Sequence, residues 1–504
     1  MNLENIKLDI DKNNICTLIF DSKNNTHNIF NKSTINDLCI ATDFLFENKN
    51  IKGIIFLSAK ESFHHGYDLK YLYSLQSSKE IFDSLICLTS NLRKLETLGK
   101  PIVSAISGEV QLGGLELILH SHYKIADNSD NTKIIFKNIK YNLCPSIGGS
   151  LRLPLTIGTS QSLKLLLKDI ILSSKEALEK NIINEITKKE DLINHCKQYI
   201  LNNLNSYQPW DKKENSSKSM NPFFGENLGY FISQIATLHG KNGDHYPSIK
   251  TLMSCIFEGL NTDINTGLKI EARHFTWLIN NSKARSMVNT LNFYKPKNSN
   301  YMNEELTSYK KSFVKNYAAE GVKLLIDGVS PPIIENAGKR LGFLTSPLET
   351  ADKIELQSII SELDSNDAPC AALIRSMQKN NRKGCSINKG FYEYKEKNKL
   401  KIWKGLTDLI PSEKKQPNII EVEERLLFSS INNCIFNYSK LTNNIDKNKF
   451  DYIAIKDFGL PEWTGGPFTW IKQYDIKKFI KNNEKFANKL GSRFIIDNQI
   501  LEKI

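Results

Sequence analysis

Several things that would decide a protein's class at once are missing from this chain of 504 residues. No two glycines are separated by a single residue, so a G-x-G-x-x-G phosphate cradle is absent, along with the strand and acidic ribose anchor that accompany one. The nine cysteines form no C-x-x-C pair and no spacing suited to a metal; they read as scattered reduced thiols of a cytosolic protein, none a persuasive nucleophile. No uninterrupted apolar run approaches the roughly 18 residues of a membrane helix. The opening MNLENIKLDIDKNN is polar and carries acids, and the closing Leu-Glu-Lys-Ile is not a peroxisomal address. Membrane insertion and secretion are therefore disfavoured, and a cytoplasmic location is expected. A dense basic arm is lacking too. The net charge of +12 comes from lysines spread among Asn and Ile, with no nucleic-acid motif, which argues against a nucleic-acid binder.

What is present is ordinary for a globular protein: 40% hydrophobic and 24% charged residues, with length enough for two or three cores. Alternating and clustered apolar residues from Ile6 to Phe20 suit paired strands. Helical spacing from Thr34 to Phe46 leads into a strand over Ile51 to Leu57, and Leu163 to Leu178 is rich in helix formers. This alternation, sustained to about residue 190, predicts α/β architecture.

The most informative stretch runs from Lys100 to Pro154. In KPIVSAISGEVQLGGLELILHSHYKIAD a β-branched apolar run stops at Ser107-Gly108, and helical spacing begins near Gly113: a strand, a glycine turn and a helix. Gly113 and Gly114 would bring bare backbone close to a ligand, and amides at a helix start suit a thioester oxygen acquiring negative charge. Glu116 falls in the first turn of a helix that is otherwise apolar, from Leu115 through Leu119. Two readings stand for it, a surface glutamate favoured by the helix dipole and a functional carboxylate with few partners. His64 and His65 are adjacent on an extended turn, where side chains point apart, so they read as exposed turn histidines and not as a metal pair. His120 and His122 read as partly exposed helix histidines, with proton transfer as the alternative.

KPIVSAISGEVQLGGLEL resembles the signature of the enoyl-CoA hydratase/isomerase (crotonase) family. Upstream, IKGIIFLSAKESFHHGYDLKYL resembles the family's strand and Gly-x-Asp turn; downstream, CPSIGGSLRLPLTIG resembles its third element. The resemblance implies a spiral of ββα turns, Glu116 as a catalytic residue and an oxyanion hole made by the backbone amides of Tyr67 and Gly113. It places Gly66, Asp68 and Gly114 against the substrate, an acyl-CoA thioester. Where the family prefers a small residue, Tyr67 is bulky and is expected to crowd the thioester. Laid on the family's third element without gaps, IIFKNIKYNLCPSIGG puts Asn138 in place of the second catalytic Glu, Lys137 in place of a Pro and Asn142 in place of a Gly. An amide orients a water but exchanges no proton at neutral pH, so hydration is expected to be impaired. Isomerisation needs a single proton shuttle, which Glu116 could supply, although isomerases of the family rely on the position that Asn138 fills.

Beyond this domain the resemblance extends to the multifunctional α-subunits of the bacterial fatty-acid oxidation complex. The polar LNSYQPWDKKENSSKSMNPFF is similar to their Pro-Trp-Asp linker, and His245 to Lys297 to their connector helices, which serve packing. Phe313 to Leu356 and Arg425 to Tyr474 resemble their tandem helical dehydrogenase C-terminal domains. In these, the substrate-touching Asn-Arg is replaced by Lys311-Ser312, the Lys-rich segment from Lys379 to Lys404 reads as solvated, and Gly465 and Gly466 read as turn glycines. The Rossmann domain that precedes them in the family is missing. The resemblance thus implies no NAD bound by this chain, no metal, and no dehydrogenase activity of its own. It also implies an oligomer with a thiolase-like β-subunit, and it leaves a non-catalytic scaffold for that partner as the alternative function. The expected layout is a crotonase-like domain over 1–190, linker and connector over 191–300, and two helical domains over 301–410 and 411–504.

Overall fold

The computed structural model describes residues 3–137, 139–212, 226–296, 301–363, 367–442 and 445–496. The chain forms two compact units: Met1–Ala236 with Pro247–Ala284, and Thr237–Tyr246 with Arg285–Ile504.

The first unit opens with a hairpin, β1 (Ile6–Ile10) antiparallel to β2 (Ile15–Phe20), followed by α1 (Lys32–Glu47), which Asn31 caps through its side chain. Then come β3 (Gly53–Ser58), α2 (Leu69–Ser74), α3 (Ser78–Glu96), β4 (Ile102–Ile106), β5 (Glu109–Gln111) and α4 (Gly113–Leu119). The chain continues through β6 (Tyr123–Asp127), β7 (Lys133–Phe136), α5 (Gly149–Ile157), α6 (Thr159–Leu166), β8 (Ile170–Ser173), α7 (Ser174–Glu179), β9 (Glu185–Thr187) and α8 (Leu192–Asn202). One sheet has the order β1-β2-β3-β4-β6-β9, parallel beyond its first pair, and the second has the order β5-β7-β8. Every residue of β4 is buried, as expected of a central parallel strand covered on both faces. On one face lies the cluster of Ile15, Ile55, Val103, Ala105 and Ile125 with Cys196 and Ile200 of α8. Lys100 closes α1 by donating to the Asn48 carbonyl at 2.7 Å.

The helix expected from Leu163 to Leu178 is interrupted, because Ile170–Ser173 pairs antiparallel with β7. The β-branched Ile170 and Ile171 favour that extended strand, and the Ser173–Glu176 capping box restarts the helix. After α9 (Glu226–Asn242), the antiparallel pair α10 (Pro247–Gly259) and α11 (Ile264–Asn280) packs on α5 and α3. The division between the units falls within α9 and within α12 (Ser282–Val288).

The second unit is mostly helical: α13 (Glu304–Ile326), α14 (Pro331–Leu341), α15 (Pro347–Lys353), α16 (Ala368–Lys379), α17 (Leu406–Leu409), α18 (Ile419–Ser439), α19 (Lys447–Ile453), α20 (Pro467–Tyr474) and α21 (Ile476–Leu490). One device occurs twice in it. Glu335 of α14 accepts from the Leu348 amide at 2.8 Å just inside α15, and Asp451 of α19 accepts from the Phe468 amide at 2.8 Å just inside α20. In each case a buried carboxylate caps a helix whose first residue is proline. Gly465 and Gly466 both have positive φ at the turn before α20, as expected.

The Lys-rich segment from Lys379 to Lys404 is not simply solvated. It contains a hairpin, β10 (Tyr392–Lys395) with β11 (Asn398–Ile402). Its buried Phe391, Tyr392 and Tyr394 reach the Asp352 carboxylate, Phe391 and Tyr392 through their amides and Tyr394 through its hydroxyl. A strand alternates between faces, so lysines on the outer face hid an aromatic inner one. No helix among the described residues is long and apolar enough to cross a membrane.

Candidate functional site

The site forms where the turn after β3 meets the start of α4. Phe30 donates to the Gly66 carbonyl at 2.7 Å and Asp68 donates to the Phe30 carbonyl at 3.0 Å, which directs the intervening Tyr67 amide away from Phe30. Gly66 has φ of +80°, and a Cβ there would collide with the Gly113 amide nitrogen; a Cβ on Gly114 would collide with the His64 carbonyl. Only glycine permits these approaches. They bring Tyr67 N within 3.7 Å of where a Cβ on Gly113 would stand. A first-turn amide such as that of Gly113 has no acceptor in its own helix, and these approaches set its backbone beside that of Gly66 and Tyr67. Leu112, with φ of +47°, holds the turn between β5 and α4 in a backbone region that costs on the order of 1–3 kcal/mol outside glycine.

Glu116 lies one turn into α4 and is buried, so the reading of it as a surface glutamate does not hold. Its Oε2 accepts amides from Ser146 at 3.0 Å, Ile147 at 2.7 Å and Gly149 at 2.9 Å, while Oε1 receives only a share of Ser146 at 3.1 Å. Burial, then the charge of nearby Glu271, pushes this carboxyl up to about 8, against the pull of the three amides. With Oε2 saturated, Oε1 is the oxygen free to carry and exchange a proton.

Sequence reasoning missed Glu271. It lies on α11, buried, and accepts amides from Gly148 and Ser150 as well as the Ser150 hydroxyl. Burial raises its carboxyl also. A signal existed: Glu271 shares the buried stripe of Gly267, Leu268, Ala272 and Phe275, an unusual place for a charge on an amphipathic helix.

The other candidates have structural partners. Asp68 caps α2, accepting from the Lys70 amide at 2.9 Å. The buried Tyr67 ring points to α3, its hydroxyl donating to the Ser84 carbonyl at 3.3 Å. Asn142 has φ of +53°, a left-handed conformation that asparagine tolerates in place of glycine, and its Oδ1 accepts from the Ser248 amide at 3.0 Å. Asn138 lies outside the described residues.

The histidines differ from expectation. His64 is buried against Phe30 and Phe20, its Nδ1 accepting from the Gly66 amide at 2.9 Å, and burial pushes it down to about 3. It braces the turn from inside. His65 does point elsewhere, stacking on His27. His120 is buried, and its Nδ1 donates to the Glu116 carbonyl at 2.8 Å. Among the described residues no group of three or more His, Cys, Asp or Glu could hold a metal.

Beneath the site, Arg152 of α5 and Glu96 of α3 form a fully buried ion pair, with Arg152 Nη2 at 2.6 Å from Glu96 Oε2. Arg93 extends it, donating to Glu96 at 3.0 Å and to Asp211 of the Pro-Trp-Asp segment at 2.8 Å.

The N-terminal unit, a mixed α/β spiral of ββα turns, has the crotonase fold. The family model "Enoyl-CoA hydratase/isomerase" matches residues 11–218. The chain is similar to "Fatty acid oxidation complex subunit alpha" of Shewanella loihica, 25% identical over 279 residues that make up 55% of this chain and 39% of that protein. It is also similar to the protein of that name from Vibrio parahaemolyticus, 27% identical over 284 residues, 56% of this chain and 40% of that protein. The match thus spans about two fifths of the length of these curated relatives. Among solved structures, enoyl-CoA hydratase from Bacillus halodurans aligns with a TM-score of 0.38 and 21% identity, over 54% of this chain and 99% of that one.

Proposed function

We propose that this chain binds acyl-CoA thioesters, holding the thioester oxygen on the Tyr67 and Gly113 amides, and that Glu116 moves one proton at the adjacent carbon. The observation that carries this reading is the buried Glu116 carboxyl, pushed up to about 8 and placed one turn from paired amides. A group that exchanges its proton near neutral pH in a water-poor site suits a single shuttle between C2 and C4 of an enoyl thioester, that is, double-bond isomerisation. Hydration needs a second group to take a proton from water. In this reading the amide of Asn138 supplies none, so hydration is the weaker activity. Dehydrogenation lies outside the proposal, because the chain contains no G-x-G phosphate cradle.

The test is turnover of a 3-enoyl-CoA and of crotonyl-CoA by the purified chain and by Glu116→Gln. Isomerisation that exceeds hydration and is lost in the variant is expected; equal rates in both proteins would remove Glu116 from the mechanism. A second reading rests on the relatives' names, which describe subunits of a complex. In it the helical unit engages a thiolase-like partner and the chain is a cytoplasmic scaffold. Co-purification of such a partner, with no turnover by the isolated chain, would favour it.

A further inference from the structure

We propose that Cys39 and Cys87 form a reversible disulfide that joins α1 to α3 and stiffens the turn carrying Tyr67. Their sulfurs lie 3.5 Å apart although the residues are 48 apart in sequence. Disulfide length is about 2.05 Å, so the remaining gap of roughly 1.5 Å is within reach of side-chain rotation. The helices are held together independently of the pair: Lys94 of α3 binds Asp43 of α1 at 2.7 Å and lies over the Phe46 ring.

The pair is also set apart chemically. Cys87 is exposed and Cys39 half-buried, whereas six of the other seven cysteines are buried. Asn91, one turn after Cys87, donates its side-chain amide to the Cys87 carbonyl at 2.8 Å and to the Cys39 sulfur at 3.0 Å, a contact that ties α3 to the Cys39 side chain. Burial, then the neighbouring Cys87, pushes the Cys39 thiol up to about 12. Cys87, the exposed member of the pair, reacts first and Cys39 resolves. With a small disulfide such as oxidised glutathione, the Cys87 thiolate attacks one sulfur and expels a glutathione thiolate. Cys39 then loses its proton to solvent base and attacks the Cys87 sulfur, expelling the second glutathione. Two electrons pass from the protein thiols to the glutathione pair, and reduced glutathione reverses the exchange.

The consequence follows from position. Cys87 lies one turn beyond Ser84, whose carbonyl accepts the Tyr67 hydroxyl and whose Oγ lies 3.3 Å from the Tyr71 hydroxyl. A covalent tie there restrains the stretch of α3 that holds the turn.

The full chain, in native buffer, is titrated with oxidised against reduced glutathione, quenched with N-ethylmaleimide and digested with trypsin. The expected product joins the peptides spanning 33–49 and 80–93, is lost on reduction, and is accompanied by amide exchange over residues 64–74 that is about threefold slower or more. Cys39→Ser should instead retain one glutathione on Cys87 and show no slowing. Glutathione persisting on Cys87 in the unaltered chain, thiols that stay free at ratios that oxidise a dithiol peptide, or unchanged exchange once the bond has formed would each overturn the proposal. Neither readout requires a thioester to bind, so this proposal and the functional one fail separately.

Discussion

Glu116 and Glu271 divide the amides at the start of α5 between them: Ser146, Ile147 and Gly149 donate to the first, Gly148 and Ser150 to the second. Two carboxyls thus share one short stretch of backbone in a buried space, and each charge opposes the other. Folding must favour at least one proton on the pair near neutral pH.

That proton sets a pH dependence. The folded Glu116 carboxyl, at about 8, keeps its proton over a range in which the unfolded one, near 4.5, has lost it. The folded state therefore binds more protons, and its stability is full below about 4.5 and declines as pH rises through about 8. The loss is on the order of 5 kcal/mol from this residue. Urea unfolding followed between pH 5 and 9 should show the decline, and Glu116→Gln should show a shallower one; parallel curves would remove Glu116 as its source.

Glu271→Gln removes a charge and keeps one acceptor oxygen, so it holds either the Gly148 or the Ser150 amide but not both. Burial of Glu116 remains but the second cause of its upward shift goes, so the acid-side limb of isomerisation, where activity rises as Glu116 loses its proton, should move to lower pH by about one unit. Glu271→Ala also strands two buried amides and should cost about 2–4 kcal/mol. A pH profile that is unmoved in Glu271→Gln would mean that the two carboxyls are not coupled.

Much of this arrangement was legible in the sequence. The Lys100 to Leu119 stretch carries a strand run, a glycine turn and a helix, whereas the pairing of the Tyr67 and Gly113 amides came from the family resemblance and could be carried over because backbone donors depend on the turn and not on side-chain chemistry. Other contacts were hidden because they cross long separations. Glu271 reaches α5 over more than a hundred residues, and Cys39 meets Cys87 through helix packing that no local period reports. His64 looked exposed because a polar residue in a turn usually is; here the turn folds inward onto Phe20 and Phe30. The hairpin after Lys379 was masked by lysines on its outer face.

The Glu96–Arg152 pair gives a separate test, since both side chains are fully buried. Arg152→Met leaves Glu96 with Arg93 as its remaining ion-pair partner, and a buried carboxylate that has lost its closer cation should cost about 2–4 kcal/mol. Glu96→Gln with Arg152→Met should recover a large part of that loss, because the stranded charge is gone. Chemical denaturation of the two variants checks the order; a double variant no more stable than the single one would mean that packing, not charge, dominates there.

The backbone approach at the site predicts an order among three glycines. Alanine at Gly66 would combine a left-handed φ of +80° with a collision against the Gly113 amide, and alanine at Gly114 would collide with the His64 carbonyl. Neither obstacle is a flexible side chain, so each substitution should cost about 2–4 kcal/mol and part the two donor amides. Alanine at Gly113 meets nothing nearer than the Gly66 Cα at 3.0 Å, has no left-handed φ to maintain, and improves helix propensity by about 1 kcal/mol. Its stability should therefore fall by roughly 1 kcal/mol or less. Because the Gly113 amide is retained, thioester binding by Gly113→Ala should weaken far less than that by Gly66→Ala, in which the turn carrying the Tyr67 amide must move. Thermal melts and titration with a non-hydrolysable acyl-CoA analogue read the two effects independently. If Gly66→Ala binds as well as the unaltered chain, the paired amides are not where the thioester oxygen sits.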